Sequence, residues 1–429
     1  MVNRTITTSQ ISNIFTQFAK ETNKTSLSAS EISNILSQIM EEAKNNSLNT
    51  SEISNVLNNL IGEDKKNTLT AIEISSILGQ IMEEKKAASI SASMSGTKKN
   101  TFTAAEVSNL WTQYMGDSLS ICVYKYFLNI VEDKEIQPFL EYALQLAQSH
   151  IVQLTEFFKQ ANFQVPIGFT DNDVNLNAPR LFSDQFLIFY TDIMTIHGLT
   201  AYSLAITTSD REDIKEYFFD CTSKAYELIA KVSRYIQSKG LYSNPPSVPS
   251  PEKVEFVEKM GMITDLFGDR RPLNASEINS LFFNTRKNAL NKALALAFSQ
   301  VAETEEVRHF MLHVVEKAGQ DIDSFISILE QEHLTTPRIW DSEITNSTVS
   351  PFSDKLMMIH LAFLTSAALA FYGTGLASSM RPDVIVAYNK IFENIHEGSR
   401  KMFTIMLKHG WLEKQPEAID RKSLALGEK

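Results

Sequence analysis

Cysteine is almost absent from this chain, with two residues, Cys122 and Cys221, in 429. Both lie in apolar helical patterns, which reads them as reduced core residues and leaves no disulfide framework or Cys-x-x-Cys thiol motif. Glycine is sparse, with 15 residues, and none builds a phosphate-cradling loop or a nucleophile elbow. The Gly373-Thr-Gly375 step reads instead as a place where helices pack closely. The opening Met-Val-Asn-Arg-Thr-Ile-Thr-Thr lacks the apolar run of a cleaved signal peptide, so synthesis in the cytoplasm is expected. Basic charge is also short: 40 Lys and Arg face 51 Asp and Glu, a net −11, which argues against nucleic acid or an anionic membrane as partner. One stretch, Leu356 to Met380, carries no formal charge and is long enough to span a bilayer. Its Ser, Thr, Gly and Ala content reads better as a close-packed bundle helix. The shortages are sharpest in residues 1–100, which contain no Pro, Cys, Tyr or Trp, only Phe15 and Phe18 as aromatics, and ten basic residues balancing ten acidic ones.

What is abundant is one nine-residue signal, present six times. It reads Ile6-Thr-Thr-Ser-Gln-Ile-Ser-Asn-Ile14, then Leu27 to Ile35, Leu48 to Val56, Leu69 to Ile77, Phe102 to Leu110 and Leu273 to Leu281 in the same pattern. Each copy is a helix start. Thr7, Ser28, Asn49, Thr70, Thr103 and Asn274 stand at the N-cap, and Gln10, Glu31, Glu52, Glu73, Glu106 and Glu277 stand three residues on, completing a capping box. The first four copies recur every 21 residues and open short amphipathic helices over 1–86. Their apolar stripes, Ile11, Ile14 and Phe15; Ile32, Ile35 and Leu36; Ile53, Val56 and Leu57; Ile74, Ile77 and Leu78, fall on one helix face. Short helices of this kind are marginal alone and must bury the stripe against something. These twelve residues are therefore the candidate self-association surface, with a second copy of the chain as the expected partner. Residues 87–100 lack periodicity and read as a flexible linker.

The last two copies open long helices, and the two halves that follow match each other. Glu106 corresponds to Glu277 and Pro166 to Pro337, 171 residues apart, and Tyr202 corresponds to Tyr372 and Gly240 to Gly410, 170 apart. Each half, 101–243 and 273–420, carries four helical segments with a long joint only between the second and third. A helix of that length spans about 39 Å, while the long joint reaches about 60 Å when extended. It can run the length of the bundle and leave helices two and three parallel, the one-crossover arrangement of ferritin-like bundles. Asn244-Pro-Pro-Ser-Val-Pro-Ser-Pro251 is a stiff spacer, followed within 244–272 by a short amphipathic piece around Lys253 to Phe267. Residues 421–429 read as a tail. The expected fold class is all-α: two tandem four-helix ferritin-like bundles preceded by an array of short helices.

The segments Leu110-Trp-Thr-Gln-Tyr-Met-Gly-Asp-Ser-Leu-Ser-Ile-Cys122, Pro166-Ile-Gly-Phe-Thr-Asp-Asn-Asp-Val-Asn-Leu-Asn-Ala-Pro179, Phe267-Gly-Asp-Arg-Arg-Pro-Leu-Asn274 and Ser350-Pro-Phe-Ser-Asp-Lys-Leu-Met-Met358 resemble a family of duplicated, ferritin-like proteins of endospore-forming bacteria. It is catalogued as domain of unknown function 3231, with spore-coat-like relatives. The resemblance covers about 101–420. It implies a tandem pair of four-helix bundles and a sporulation context, and it carries no established activity. Residues 1–100 depart from the family pattern, which places a function peculiar to this chain in that tail.

A ferritin-like bundle invites a di-iron site, built from a Glu on each of two helices and Glu-x-x-His on each of the other two. Glu306-Val-Arg-His309 and Glu393-Asn-Ile-His396 have that spacing. One pair opens its helix and the other lies about three turns into an antiparallel helix, so they are expected at different heights. The first and third helices of this half offer no bridging carboxylates, and the first half has neither motif. No metal ligand, cofactor or catalytic residue is therefore expected. Asp192 and His197 on one apolar helix, with His150 on another, read as a buried polar contact. The sequence points to a non-enzymatic, self-assembling structural protein associated with sporulation, with other copies of itself and other spore components as its expected partners. The alternative is a ferritin-like protein that binds a metal or small ligand.

Overall fold

The capping boxes at Thr103 and Asn274 form as written. The Thr103 hydroxyl accepts from the Glu106 N–H at 3.2 Å, and the Glu106 carboxylate accepts from the Thr103 N–H at 2.8 Å. At Asn274 and Glu277 the same two bonds are 2.9 and 3.0 Å. The computed structural model describes residues 101–241, 243–257 and 271–427. From these caps run α1 (Ala104–Ile130) and, in the second half, α5 (Ala275–Val301). They are joined by α2 (Gln137–Gln160), α3 (Asp184–Thr208) and α4 (Glu212–Ser238), and by α6 (Glu305–Gln331), α7 (Asp354–Ser378) and α8 (Pro382–Lys408). Among the described residues there are no strands, only two isolated bridges. The protein is thus all-helical, two helical bundles in tandem.

Two sets of bonds in each half set the direction of the helices. Asp184, opening α3, accepts from the N–H groups of Glu132 and Asp133 at 3.2 and 2.9 Å, so α3 starts beside the end of α1 and the start of α2. Glu106, opening α1, also accepts from the N–H groups of Asp210 and Arg211 at 3.1 and 2.8 Å, so α4 starts beside the start of α1. Helices α2 and α3 are therefore parallel, which is the one-crossover topology. The second half repeats the device: Asp354 caps Glu303 and Thr304 at 3.0 and 2.8 Å, and Glu277 receives Met380 and Arg381 at 3.0 and 2.9 Å. The Glu of the capping box thus does two jobs, capping its own helix and holding the turn before the fourth.

The crossover connections do more than cross. Val174 bridges Phe352 and Phe182 bridges Ile344, and the Ser183 and Ser353 N–H groups donate to the Glu343 and Asp173 carbonyls at 3.0 and 3.1 Å. Each bond has its mate 170 residues away, so the halves meet about a pseudo-twofold axis, as an isologous dimer would. Tyr190 and His360, themselves 170 apart, bond to each other at that axis, with Oη and Nε2 at 3.1 Å. Around them the aromatic cores of the two bundles are continuous. Tyr126 meets Phe352 edge-on at 5.3 Å and Phe189 stacks on Trp340 at 4.2 Å.

Helix α7 is long and apolar enough to cross a membrane by length and composition, and 44% of its most apolar window is buried within the protein. Two details depart from the sequence reading. Residues 253–257 are not helical; Val254 and Phe256 are 84% and 85% exposed, so no surface receives an amphipathic stripe there. The remainder of that piece lies outside the described residues. In the tail, Arg421–Leu426 forms a short helix, α9, because the Asp420 carboxylate accepts from the Lys422 and Ser423 N–H groups, both at 3.0 Å.

Candidate functional site

The twelve stripe residues proposed for self-association, from Ile11 to Leu78, lie outside the described residues. The two Glu-x-x-His pairs line one open groove between α6 and α8 at different heights. Glu306 pairs with Lys408 at 2.7 Å, whereas Asn394 donates to Asp321 at 3.3 Å. Glu306 and Asp321 are 15 positions apart on α6, about 22 Å of helix. Among the described residues no three His, Cys, Asp or Glu side chains converge as a metal site.

The expected contact among Asp192, His197 and His150 does not form. Asp192 bonds Arg286 of the second half and Ser233, His197 stacks on Phe371, and His150 turns to Asp117 on α1. Sequence spacing within one helix could not show that α3 faces two neighbours at once: Ser233 of α4 donates to one Asp192 carboxylate oxygen and Arg286 of the second bundle to the other.

His150 belongs to a site that the sequence reading missed. A cavity of about 490 Å³ lies in the first bundle, walled by all four helices and roofed by α7 of the second half. His150 is 5% exposed, and its Nδ1 lies 3.2 Å from Asp117 Oδ2. Burial alone would lower the imidazole pKa, but the adjacent Asp117 carboxylate, with a further contribution from the neighbouring Cys221, outweighs it and holds His150 up at about 10. Nε2 makes no hydrogen bond of full geometry, and the Cys221 thiol is its polar neighbour. Around it Tyr202 and Tyr217 stand edge-on to the ring, each at 6.0 Å, and the Gln113 amide donates to Cys221 Sγ at 3.8 Å. The Tyr217 hydroxyl and Gln113 Oε1 are likewise unpaired. Cys122 and Cys221 are free, buried thiols; only Cys221 reaches this cavity.

The second bundle is tighter at the corresponding place. Gly116 of α1 corresponds to Lys287 of α5, and a Cβ at Gly116 would meet nothing within 4 Å. Lys287 is 4% exposed, and its Nζ lies 4.0 Å from the centre of the Phe371 ring. Burial pushes its pKa well below the ordinary lysine value, and the ring face offsets part of that cost. Asp117 and His150 are replaced by Asn288 and Asp321. Asn288 accepts from the Tyr372 hydroxyl, and Asn284 donates to the Tyr388 hydroxyl at 3.1 Å. A space of about 70 Å³ remains, and burial holds Asp321 up at about 6. The aligned pair Gly116 and Lys287, a missing side chain against a long one in otherwise matched helices, was the signal in the sequence.

These features can be set beside known proteins. The family model described as "Protein of unknown function (DUF3231)" matches residues 91–254 and again residues 261–424. The chain belongs to this family. The two matched copies coincide with the duplication, and the crossover connections with their reciprocal bridges lie one in each. The crystal structure of a candidate spore coat protein from Bacillus halodurans C-125 is similar to part of the chain, at 22% identity and a TM-score of 0.31, over 35% of this chain and 96% of that one. No curated protein matches.

Proposed function

We propose that this protein is a non-enzymatic binding protein whose first bundle holds an apolar small molecule, while the second bundle is its packed structural companion. One observation carries the reading: the two halves share caps, clasps and crossover, yet the first keeps a cavity of about 490 Å³ and the second a space of about 70 Å³, with a buried Lys287 at the position of Gly116. That volume falls in the range of small-molecule pockets, and an apolar wall with a few convergent polar groups is the usual composition of such sites. The test uses N-phenyl-1-naphthylamine, a neutral fluorescent probe, with the full-length chain. Saturable binding of one probe per chain is expected. Gly116→Met, an uncharged counterpart of Lys287, should abolish it, and no binding to the unmodified chain would overturn the reading.

A second reading concerns the N-terminal repeats and is compatible with the first. In both described copies of the nine-residue signal, the capping Glu also binds a neighbouring turn, at Asp210 and Arg211 or at Met380 and Arg381. The four tail copies carry Gln10, Glu31, Glu52 and Glu73 at that position. Tandem copies on a flexible linker make weak docking multivalent, so the tail would join molecules into an extended assembly in a sporulating cell. The sporulation setting rests on the family resemblance. Ile32→Asp with Ile35→Asp should lower the mass of the full-length assembly measured by light scattering. A monomeric unmodified chain refutes this second reading.

A further inference from the structure

We infer that Cys221 is a reactive thiol on the wall of the first-bundle cavity, with His150 as its proton partner, and that the cavity captures an apolar α,β-unsaturated carbonyl compound by covalent addition. This rests on the reading of the cavity as a ligand site and adds the chemistry of capture, one molecule per chain without turnover. Three side chains from three helices form the device. Asp117 Oδ2 of α1 lies 3.2 Å from Nδ1 of His150 on α2, and the Cys221 thiol of α4 is the polar neighbour at Nε2, on the opposite edge of the ring. All three residues line the cavity. Nε2 makes no hydrogen bond of full geometry, and contacts of this kind are often loose until a substrate is bound.

The two cysteines of the bundle have opposite surroundings, although both are 1% exposed. At Cys221 the Gln113 amide donates to Sγ at 3.8 Å, and the Tyr217 hydroxyl, one turn earlier on α4, is a further polar neighbour behind the cavity wall. Negative charge arising on this sulfur is met by donors, the setting in which thiols react. Cys122 instead donates to the Thr170 carbonyl at 3.3 Å, and burial together with the Asp173 carboxylate pushes its thiol up to about 12. The duplication draws the same line between the halves. Gln113, Asp117, His150 and Cys221 align with Asn284, Asn288, Asp321 and Ile391, so at these positions imidazole and thiol occur together only in the half with the large cavity.

Addition suits a cavity walled by helices because it expels no leaving group and consumes no water. The sulfur attacks with its proton on Nε2, where the Asp117 carboxylate favours it. A bond forms from Sγ to the β-carbon, the π pair of the double bond moves to the α-carbon and the carbonyl oxygen, and the proton passes from Nε2 to the α-carbon. One C–S and one C–H bond replace the S–H bond and the π bond, and nothing is oxidised or reduced overall. Asp117 is a positioning residue that keeps Nε2 turned toward the sulfur. The two other imidazoles of the cavity lining are engaged elsewhere: His360 bonds the Tyr190 hydroxyl and His197 stacks on Phe371.

The experiment treats the full-length protein with N-ethylmaleimide, a small neutral unsaturated carbonyl compound, over a range of concentrations and follows the adduct by mass spectrometry. One adduct per chain is expected, on Cys221 and not on Cys122, and saturating N-phenyl-1-naphthylamine should slow its formation. Cys221→Ser should abolish it. Asp117→Asn with His150→Gln, which removes the proton partner without stranding a buried charge, should lower the limiting rate about 10²-fold and leave the naphthylamine affinity unchanged. Gln113→Leu, which removes one donor to the sulfur, should lower the limiting rate about three- to tenfold. No adduct on Cys221 in a chain that binds the naphthylamine, or a limiting rate that the double substitution lowers less than about tenfold, overturns the reactive thiol while the cavity stays a ligand site. An adduct that the naphthylamine does not slow also overturns it, by placing the thiol outside the cavity. Failure of the naphthylamine and the maleimide together removes the underlying cavity reading instead.

Discussion

Two glycines in the middle of helices should respond to the same substitution with opposite signs. Gly116 in α1 has nothing within 4 Å of the position a Cβ would take. Gly116→Ala therefore gains helix propensity, about 1 kcal/mol, without a collision, and should raise the melting temperature by about 2–4 °C. At Gly375 in α7 a Cβ would collide with the Tyr388 hydroxyl oxygen and lie 2.6 Å from the ring carbon that bears it. That ring cannot easily step aside. Tyr388 is 0% exposed, packs 5.0 Å from Phe325 and receives the Asn284 amide at 3.1 Å. Overpacking costs about 1–3 kcal/mol, and the lost hydrogen bond about 1 kcal/mol. Set against the same propensity gain, Gly375→Ala should destabilise by about 1–3 kcal/mol and lower the melting temperature by at least about 2 °C. Differential scanning calorimetry of the full-length protein and the two variants measures both. Shifts of the same sign would refute the assignment of Gly116 to open space and Gly375 to close packing.

Two further outcomes follow from the clasps and from the α6–α8 groove. Burial would raise the pKa of Glu277, but the Arg271 guanidinium and the N–H groups of Asn274, Met380 and Arg381 outweigh it and hold the carboxylate at about 2. Its folded pKa is below the ordinary value, so its contribution, about 3 kcal/mol, is fully present above pH 4.5 and is lost as pH falls toward 2. Urea midpoints at pH 7 and pH 3 should differ less in Glu277→Gln than in the unmodified chain; equal differences would contradict the clasp. Glu306→Ala with His309→Ala, which removes an exposed pair from the groove, should leave the melting temperature and the metal content by mass spectrometry unchanged. A loss of bound metal would establish a site there.

The sequence by itself determined what depends on short range and on length. Thr103 with Glu106 and Asn274 with Glu277 fix helix starts through bonds spanning three residues. The duplication could be read by matching residues 170 or 171 apart. The crossover followed from comparing the reach of a connection with the length of a helix. Pairing between helices is another matter, because a helical pattern shows which face is apolar and not which neighbour meets it. The spacing could not foretell that Asp192 would bond Arg286, that His150 would choose Asp117, or that the crossover connections would bridge each other about a pseudo-twofold axis. The cavity was hardest to read of all. Gly116 borders it with open space where four helices and a neighbouring bundle converge, and an unfilled volume is a property of facing surfaces, set only once the chain has folded.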